Sequence, residues 1–132
     1  MEKIRLAIVG VGNCASSLVQ GIEYYRTHEG AENLGLMHYD LGGYQPGDME
    51  VVAAFDIDRR KVGKPLAEAI YALPNCTQKI VDRVANSRVR VAMGQVLDGV
   101  SEHLKDYPEN QRFVVAEELP CDVEKVLRES GA

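Results

Sequence analysis

Apolar residues recur along the chain in two different periods. Residues 4–9 form a short, almost wholly apolar run that ends at Gly10, which is typical of a parallel strand covered on both faces. From Cys14 to about Tyr25 the apolar spacing becomes i, i+3, i+4 and i+7, which predicts a helix. The residues on that face are Ala15, Leu18, Val19 and Ile22.

The rest of the chain continues the alternation of strands and helices. The sequence predicts a buried strand over 51–55 that is closed by Asp56, a helix over 65–71 with proline in its first turn, and a less buried strand around Val89 and Val91. It further predicts a short helix over 98–107, an extended piece over 113–115 and a helix over 121–130 capped by Gly131. This order favours an α/β fold, a Rossmann-type doubly wound parallel sheet. We expect the sheet to be incomplete at the C-terminus, because no strand follows the last helix.

A long excursion separates the first helix from the second strand. Residues 27–48 are rich in glycine and hold few apolar residues in sequence. Loops of this length in compact domains are usually functional or mobile, and a variable surface loop is the simplest interpretation.

Composition and charge narrow the classes of function. The 132 residues suffice for one domain. Twenty acidic and fifteen basic side chains give a net charge of −5, so no basic surface remains for the phosphates of a nucleic acid. No apolar run approaches the roughly 18 residues of a membrane span, and the charged N-terminus lacks the apolar core of a signal peptide. We therefore expect neither a nucleic-acid partner nor a membrane partner.

The cysteines and histidines lack the spacings of a disulfide framework or a metal site. The three cysteines lie far apart, with no C-x-x-C pair, which favours a reducing cytoplasm. The three histidines form neither H-x-H nor H-E-x-x-H, so the sequence predicts no metal site.

A glycine-rich turn joins the first predicted strand to the first helix. Residues 10–16, Gly-Val-Gly-Asn-Cys-Ala-Ser, contain the G-x-G-x-x-A pattern of a dinucleotide-binding turn. Gly10 lets the chain leave the strand sharply, Gly12 lets the backbone approach a pyrophosphate, and Ala15 keeps the helix close to the sheet. The helix N-terminus adds free N–H groups and a partial positive charge. Since the motif lies between a strand and a helix, we predict a dinucleotide site rather than a purely structural turn.

An acidic residue closes the second predicted strand. Asp56 can accept hydrogen bonds from the adenosine ribose, and its charge repels the 2′-phosphate of NADP, so NAD is the favoured cofactor. The usual spacing is about 20 residues after the fingerprint. Asp56 lies well beyond that, and the excursion over 27–48 accounts for the excess.

Charged residues follow Asp56 closely. Arg59, Arg60 and Lys61 could suit a 2′-phosphate, but a solvated helix start is the plainer interpretation. Asp58 is expected to cap that helix.

The sequence also resembles a known family. Residues 8–21, Ile-Val-Gly-Val-Gly-Asn-Cys-Ala-Ser-Ser-Leu-Val-Gln-Gly, resemble the N-terminus of myo-inositol-1-phosphate synthase in its actinobacterial and related prokaryotic branch. The likeness continues through residues 35–38, 52–58, 61–63 and 97–99.

The resemblance implies a function and a set of site residues. Enzymes of that family are isomerases of inositol and phospholipid biosynthesis. With tightly held NAD they oxidise glucose 6-phosphate, close the ring by an intramolecular aldol step and reduce the product, and they are usually homotetramers. By position, Asp56 would hold the adenosine ribose. The pyrophosphate would be held by Gly10, Gly12, Asn13, Cys14, Ala15 and Ser16.

The same resemblance implies that much of the enzyme lies elsewhere. The catalytic lysines of the family belong to later segments, so residues 1–132 are expected to be a partial N-terminal NAD-binding domain without the catalytic and tetramerisation domain. We expect this chain alone to be inactive on glucose 6-phosphate, and to form oligomers because its sheet is incomplete. Two alternatives stay open, a stand-alone non-catalytic nucleotide-binding module and another NAD-dependent oxidoreductase.

Overall fold

A three-stranded parallel sheet forms the centre of the molecule. The computed structural model describes residues 2–28, 30–85 and 88–132. The strands are β1 (Ile4–Val9), β2 (Met49–Asp56) and β3 (Ala92–Met93), and they are hydrogen-bonded in the order β1-β2-β3. All pairs are parallel, so the carboxyl ends of the three strands lie at the same edge of the sheet.

Three α-helices accompany the sheet in the described residues. They are α1 (Asn13–Thr27), α2 (Leu66–Ala69) and α3 (Val123–Ser130). Four short 3₁₀ turns lie at Ala31–Asn33, Pro46–Asp48, Glu102–Asp106 and Glu109–Gln111. Within the described part of the chain, no helix has the length and hydrophobicity needed to cross a bilayer.

The main core lies between the sheet and α1. Ile8 and Ala54 of the sheet are buried in one cluster with Ala15 and Val19 of the predicted apolar face of α1. Leu18, which the sequence also places on that face, is exposed. The other buried members of this core are Val11, Leu66, Ala69, Ile70, Val84 and Val91.

Helix α3 lies over the opposite face of the sheet. Arg5, whose side chain points away from the Ile8 face because strand residues alternate, donates a hydrogen bond to the Ser130 carbonyl at the end of α3. The Asp122 carboxylate caps the start of this helix by accepting from the Lys125 N–H at 3.0 Å, and Gly131 ends it at φ +67°. With helices on both faces of a parallel sheet, the predicted α/β class is confirmed.

Two predicted strands differ from their observed form. β1 has the predicted bounds but is not covered on both faces, because Val9 is 81% exposed. The third strand is shifted. Residues 89–91 are extended, but their backbone bonds go to the turn before α2, including Gly63 N–H to Val91 O at 2.8 Å, so pairing with β2 begins only at Ala92. Val91 is also fully buried rather than half-exposed.

The predicted helices after β2 are shorter than expected. The helix over 65–71 is reduced to the single turn of α2, and the helix over 98–107 is a 3₁₀ turn. The extended piece over 113–115 is present as one antiparallel bridge between Val115 and Asp58.

In its described residues, the excursion over 27–48 holds two short 3₁₀ turns and an isolated bridge between Leu41 and Tyr44. Its contacts with the rest of the molecule include a hydrogen bond from the Tyr25 hydroxyl to the Leu34 carbonyl and an ion pair between Lys3 and Asp48 at 3.3 Å. Met37 within it is almost fully exposed.

Candidate functional site

A cavity of about 800 Å³ opens at the carboxyl ends of the strands. In a doubly wound fold this edge of the sheet is the usual ligand site. The cavity is lined by Val9, Gly10, Gly12, Asn13, Cys14, Ala15, Phe55, Asp56, Ile57, Gly94, Gln95, Val96, Leu97, Asp98, Gly99, Phe113 and Val123. Six of the seven residues that the sequence predicts for cofactor binding are therefore at its wall.

The two glycines of the turn are required for different reasons. Gly10 has φ +92°, a conformation that other residues rarely adopt, and its N–H donates to the Phe55 carbonyl at 2.8 Å. Gly12 has φ −100° and ψ −152°, an extended conformation open to any residue. A Cβ at Gly12 would meet no protein atom within 4 Å. Neither backbone strain nor protein packing therefore demands glycine at position 12, and the space over it belongs to the cavity.

Asp56 is held at the end of β2 by backbone donors. One carboxylate oxygen accepts from the Val11 N–H at 2.7 Å, and the other accepts from the N–H groups of Ile57 and Asp58 at 2.8 Å each. A carboxylate has about four acceptor positions, so one remains for a hydroxyl donor in the cavity.

The side chain of Asn13 is engaged with a neighbouring segment. Its Oδ1 accepts from the Cys76 N–H at 2.9 Å, its Nδ2 lies 3.0 Å from the Cys76 Sγ, and its carbonyl accepts from the Thr77 hydroxyl at 3.0 Å. Asn13 therefore lines the cavity while it fastens residues 76–77 beside the turn. Cys14, at the start of α1, is exposed.

Ser16 does not take the place that the resemblance implies. Its hydroxyl is buried and lies 3.1 Å from the Gln20 Nε2, and its N–H donates to the Gly12 carbonyl at 2.9 Å. Ser16 is absent from the cavity wall because α1 turns its side chain into the core. The prediction that Ser16 holds a pyrophosphate is wrong for the side chain. Ala15 is buried against the sheet, as its place in the motif predicts.

The charged residues after Asp56 form a turn and not a solvated helix start. Asp58 is fully buried, and its carboxylate accepts from the Arg60 Nε at 2.8 Å and from the Val114 N–H at 2.9 Å. Burial alone would raise the pKa of Asp58, but these bonds, with that from the Arg60 N–H, hold it below its ordinary value. Asp58 caps this turn and anchors residue 114, whereas the sequence predicts a helix cap.

Arg59 is exposed, as expected of a solvated cation, whereas Lys61 is not. Arg59 pairs with Glu109, and its N–H donates to the Val114 carbonyl at 2.8 Å. Lys61 is 1% exposed. Its position shows that three consecutive charged residues in sequence need not share one environment.

Sequence reasoning missed the far wall of the cavity. Residues 94–99 and Phe113 face the glycine turn across it. Leu97 is 86% exposed and has φ +42°, a conformation that is uncommon for a branched side chain. The available signal was the cluster of Gly94 and Gly99 after the third strand.

No protein-family model matches the chain. The inositol-3-phosphate synthase of Mycolicibacterium smegmatis is 50% identical over 129 residues, which are 97% of this chain and 34% of that protein. The Corynebacterium glutamicum protein of the same name is 52% identical over 103 residues, 77% of this chain and 28% of that protein.

The chain is homologous to part of inositol-3-phosphate synthase. It spans about a third of the length of the curated relatives that it matches. A crystal structure of Ari2 superposes with a TM-score of 0.74 at 33% identity, over 99% of this chain and 36% of that one. The resemblance to inositol-3-phosphate synthase that the sequence motifs carry is thereby confirmed.

Proposed function

We propose that the chain binds NAD in the cavity at the carboxyl ends of the strands, as the dinucleotide-binding part of an inositol-3-phosphate synthase. The observation that carries the proposal is the open space over Gly12 beside Asp56. A missing side chain leaves room there for a ligand, and a carboxylate stands next to it.

The wall of the cavity fits the parts of a dinucleotide. The glycine turn and the N-terminus of α1 direct backbone N–H groups and a partial positive charge to the place of a pyrophosphate. Ile57, Val96 and Phe113 supply apolar surface suited to a planar adenine ring. Asp56 would accept from the ribose hydroxyls through its remaining acceptor position.

The charges near the site favour NAD over NADP. The Asp56 carboxylate would repel a 2′-phosphate. Arg59 and Arg60, which could compensate, are engaged by Glu109 and Asp58 respectively. No arginine, lysine or histidine occurs among the described residues that line the cavity.

When bound, NAD would supply a hydride acceptor and later return the hydride. The residues of this chain would bind and orient it. Inactivity of the 132-residue chain alone toward glucose 6-phosphate stays a prediction. Self-association of the chain stays a prediction.

Calorimetric titration with NAD and NADP tests the proposal. We expect the wild-type chain to bind NAD at least tenfold more tightly than NADP, and Asp56→Ala to lose most of that preference. Asp98→Ala is the matched control, because Asp98 is an exposed carboxylate on the same wall. Equal affinities for the two nucleotides in wild type would remove Asp56 from the ribose site, and no heat with either nucleotide would overturn the proposal.

A further inference from the structure

Lys61 is a buried ammonium group that the proposed NAD contacts do not use. Its side chain is almost fully enclosed, and it is not part of the cavity wall. A buried charge needs hydrogen-bond partners to offset its lost hydration. The Nζ of Lys61 donates to the Val11 carbonyl at 2.5 Å and to the Pro74 carbonyl at 3.3 Å.

The residue that Lys61 contacts is the one between the two glycines of the turn. The Val11 N–H donates to Asp56, and the Val11 carbonyl accepts from Lys61. Charged side chains therefore orient both peptide groups that flank Val11. Without such anchors, a backbone flanked by glycines would be conformationally soft.

The planarity of the peptide group carries this constraint to the cavity. In a trans peptide the C=O and the following N–H point in opposite directions. Since the Val11 carbonyl points at Lys61 in the interior, the Gly12 N–H points away from Lys61. Gly12 lines the cavity and Lys61 does not, so this N–H is directed toward the cavity side of the turn.

We propose that Lys61 is a positioning residue of the dinucleotide turn, which holds the Val11 carbonyl and thereby aims the Gly12 N–H at an anionic pyrophosphate in the cavity. The identity of the ligand rests on the proposed function. The orientation of the turn does not, and it can be measured in the free chain.

Protonation of Lys61 gives the contact a pH dependence. Burial lowers the pKa of the Lys61 amino group, and the positive charge of Arg60 lowers it further. The negative charges of Asp56 and Asp58 raise it, but the net pKa stays below the ordinary value. An ammonium binds a carbonyl more strongly than a neutral amine does. The contact is therefore strongest at low and neutral pH and weakens as pH rises through the lowered pKa.

Lys61→Met tests the proposal, with Lys64→Met as the matched control on the same turn. Methionine keeps the apolar stem but removes the donor, whereas Lys64 is exposed. We expect Lys61→Met to weaken NAD binding about tenfold, the value of one charge-assisted hydrogen bond, and Lys64→Met to leave it unchanged. In the free chain, the Val11 amide should exchange faster and the Gly12 amide shift should change in Lys61→Met alone, because the turn loses its anchor.

The two proposals fail in different ways. If the wild-type chain does not bind NAD, the proposed function fails. The role of Lys61 is then tested by the Val11 and Gly12 amide measurements on the free chain. Unchanged NAD affinity together with an unchanged Val11 exchange rate and an unchanged Gly12 amide shift in Lys61→Met would overturn the positioning role.

If Lys61→Met does not fold, a pH titration of the wild-type chain followed by nuclear magnetic resonance tests the proposal instead. The Val11 and Gly12 amide shifts should titrate together with the Lys61 Nζ. Amide shifts that stay constant through that titration would overturn the proposal.

Discussion

Two cavities of nearly equal size lie at opposite ends of the sheet, and they differ in charge. The cavity at the amino ends measures about 770 Å³, and that at the carboxyl ends about 800 Å³. The amino-end cavity is lined by the cations Lys3, Arg5, Arg26 and Arg88 and by the carboxylates Glu23 and Glu50. The described wall of the carboxyl-end cavity has Asp56 and Asp98 and no cationic side chain.

Under the proposed NAD site, the pyrophosphate would lie in the cavity that has fewer cationic side chains. Charge alone would assign a pyrophosphate to the amino-end cavity. There, however, Arg5 is bonded to the Ser130 carbonyl, and Arg26 is paired with Glu23 at 3.1 Å. At the carboxyl end, the first-turn N–H groups of α1 attract an anion without any side-chain charge. We therefore base the proposed NAD site on the backbone geometry of the glycine turn and not on side-chain charge.

One variant in each cavity tests this assignment, and Gly12→Val has the largest expected effect. Gly12→Val should abolish measurable NAD binding, because the new side chain fills the space proposed for the pyrophosphate. Its thermal midpoint should stay within a few degrees of wild type, since a Cβ there meets no protein atom within 4 Å. Arg26→Gln in the amino-end cavity should leave the affinity unchanged. Titration calorimetry and thermal denaturation of both variants provide the measurement, and a reversed result would move the site to the amino end.

The part of the site that lies next to β1 could be predicted from sequence because its determinants are local. The apolar run of β1, the glycine turn and the apolar stripe of α1 are contiguous, and each has a period or a conformational need that few alternatives satisfy. Asp56 was predictable because it directly ends a buried strand. The same locality explains why the bounds of β1 agree with the structure.

The rest depends on contacts between residues distant in sequence. Lys61 bonds Val11, which lies 50 positions away, and Asp58 bonds the backbone of Val114, 56 positions away. No local pattern distinguishes a buried lysine from a solvated one when arginines precede it. The third strand was displaced for a similar reason, because the backbone at Val91 pairs with the turn at Gly63 and Lys64 before it reaches β2.

The buried Asp58 carboxylate neutralises Arg60, two residues further along the chain. Asp58→Asn would remove the carboxylate partner of the Arg60 guanidinium, which would keep, among the described residues, only the carbonyls of Glu109 and Arg112, and would weaken the tie to Val114. We expect a loss of about 3 kcal/mol in the free energy of unfolding, the usual effect of breaking a buried ion pair. Urea denaturation measures it, with Asp82→Asn as the exposed control. A loss as small as that of the control would contradict the structural role of the pair.

Acid should remove the same stabilisation in wild type. The folded-state pKa of Asp58 lies below its ordinary value of 3.8, so the unfolded chain takes up the proton first as pH falls. The contribution of ionised Asp58 to the free energy of unfolding is therefore complete at neutral pH. It is lost as pH falls below about 4 and through the folded-state pKa. The stability of Asp58→Asn should depend less on pH in this range than that of wild type.

The smallest expected effect concerns Arg59, which follows Asp56 by three residues along the chain. Its ion pair with Glu109 joins two half-exposed side chains, so the pair contributes at most about 1 kcal/mol to stability. Glu109→Gln would release the guanidinium, which stands three residues after Asp56 and could then meet a 2′-phosphate. We expect NADP affinity to rise about threefold, with NAD affinity and thermal midpoint unchanged, because a partly screened charge acts only on the added phosphate. Glu102→Gln, which frees the remote Lys105, is the matched control. An equal rise for both nucleotides would mean that Glu109 acts through general charge, and the arginines would then have no part in the preference for NAD.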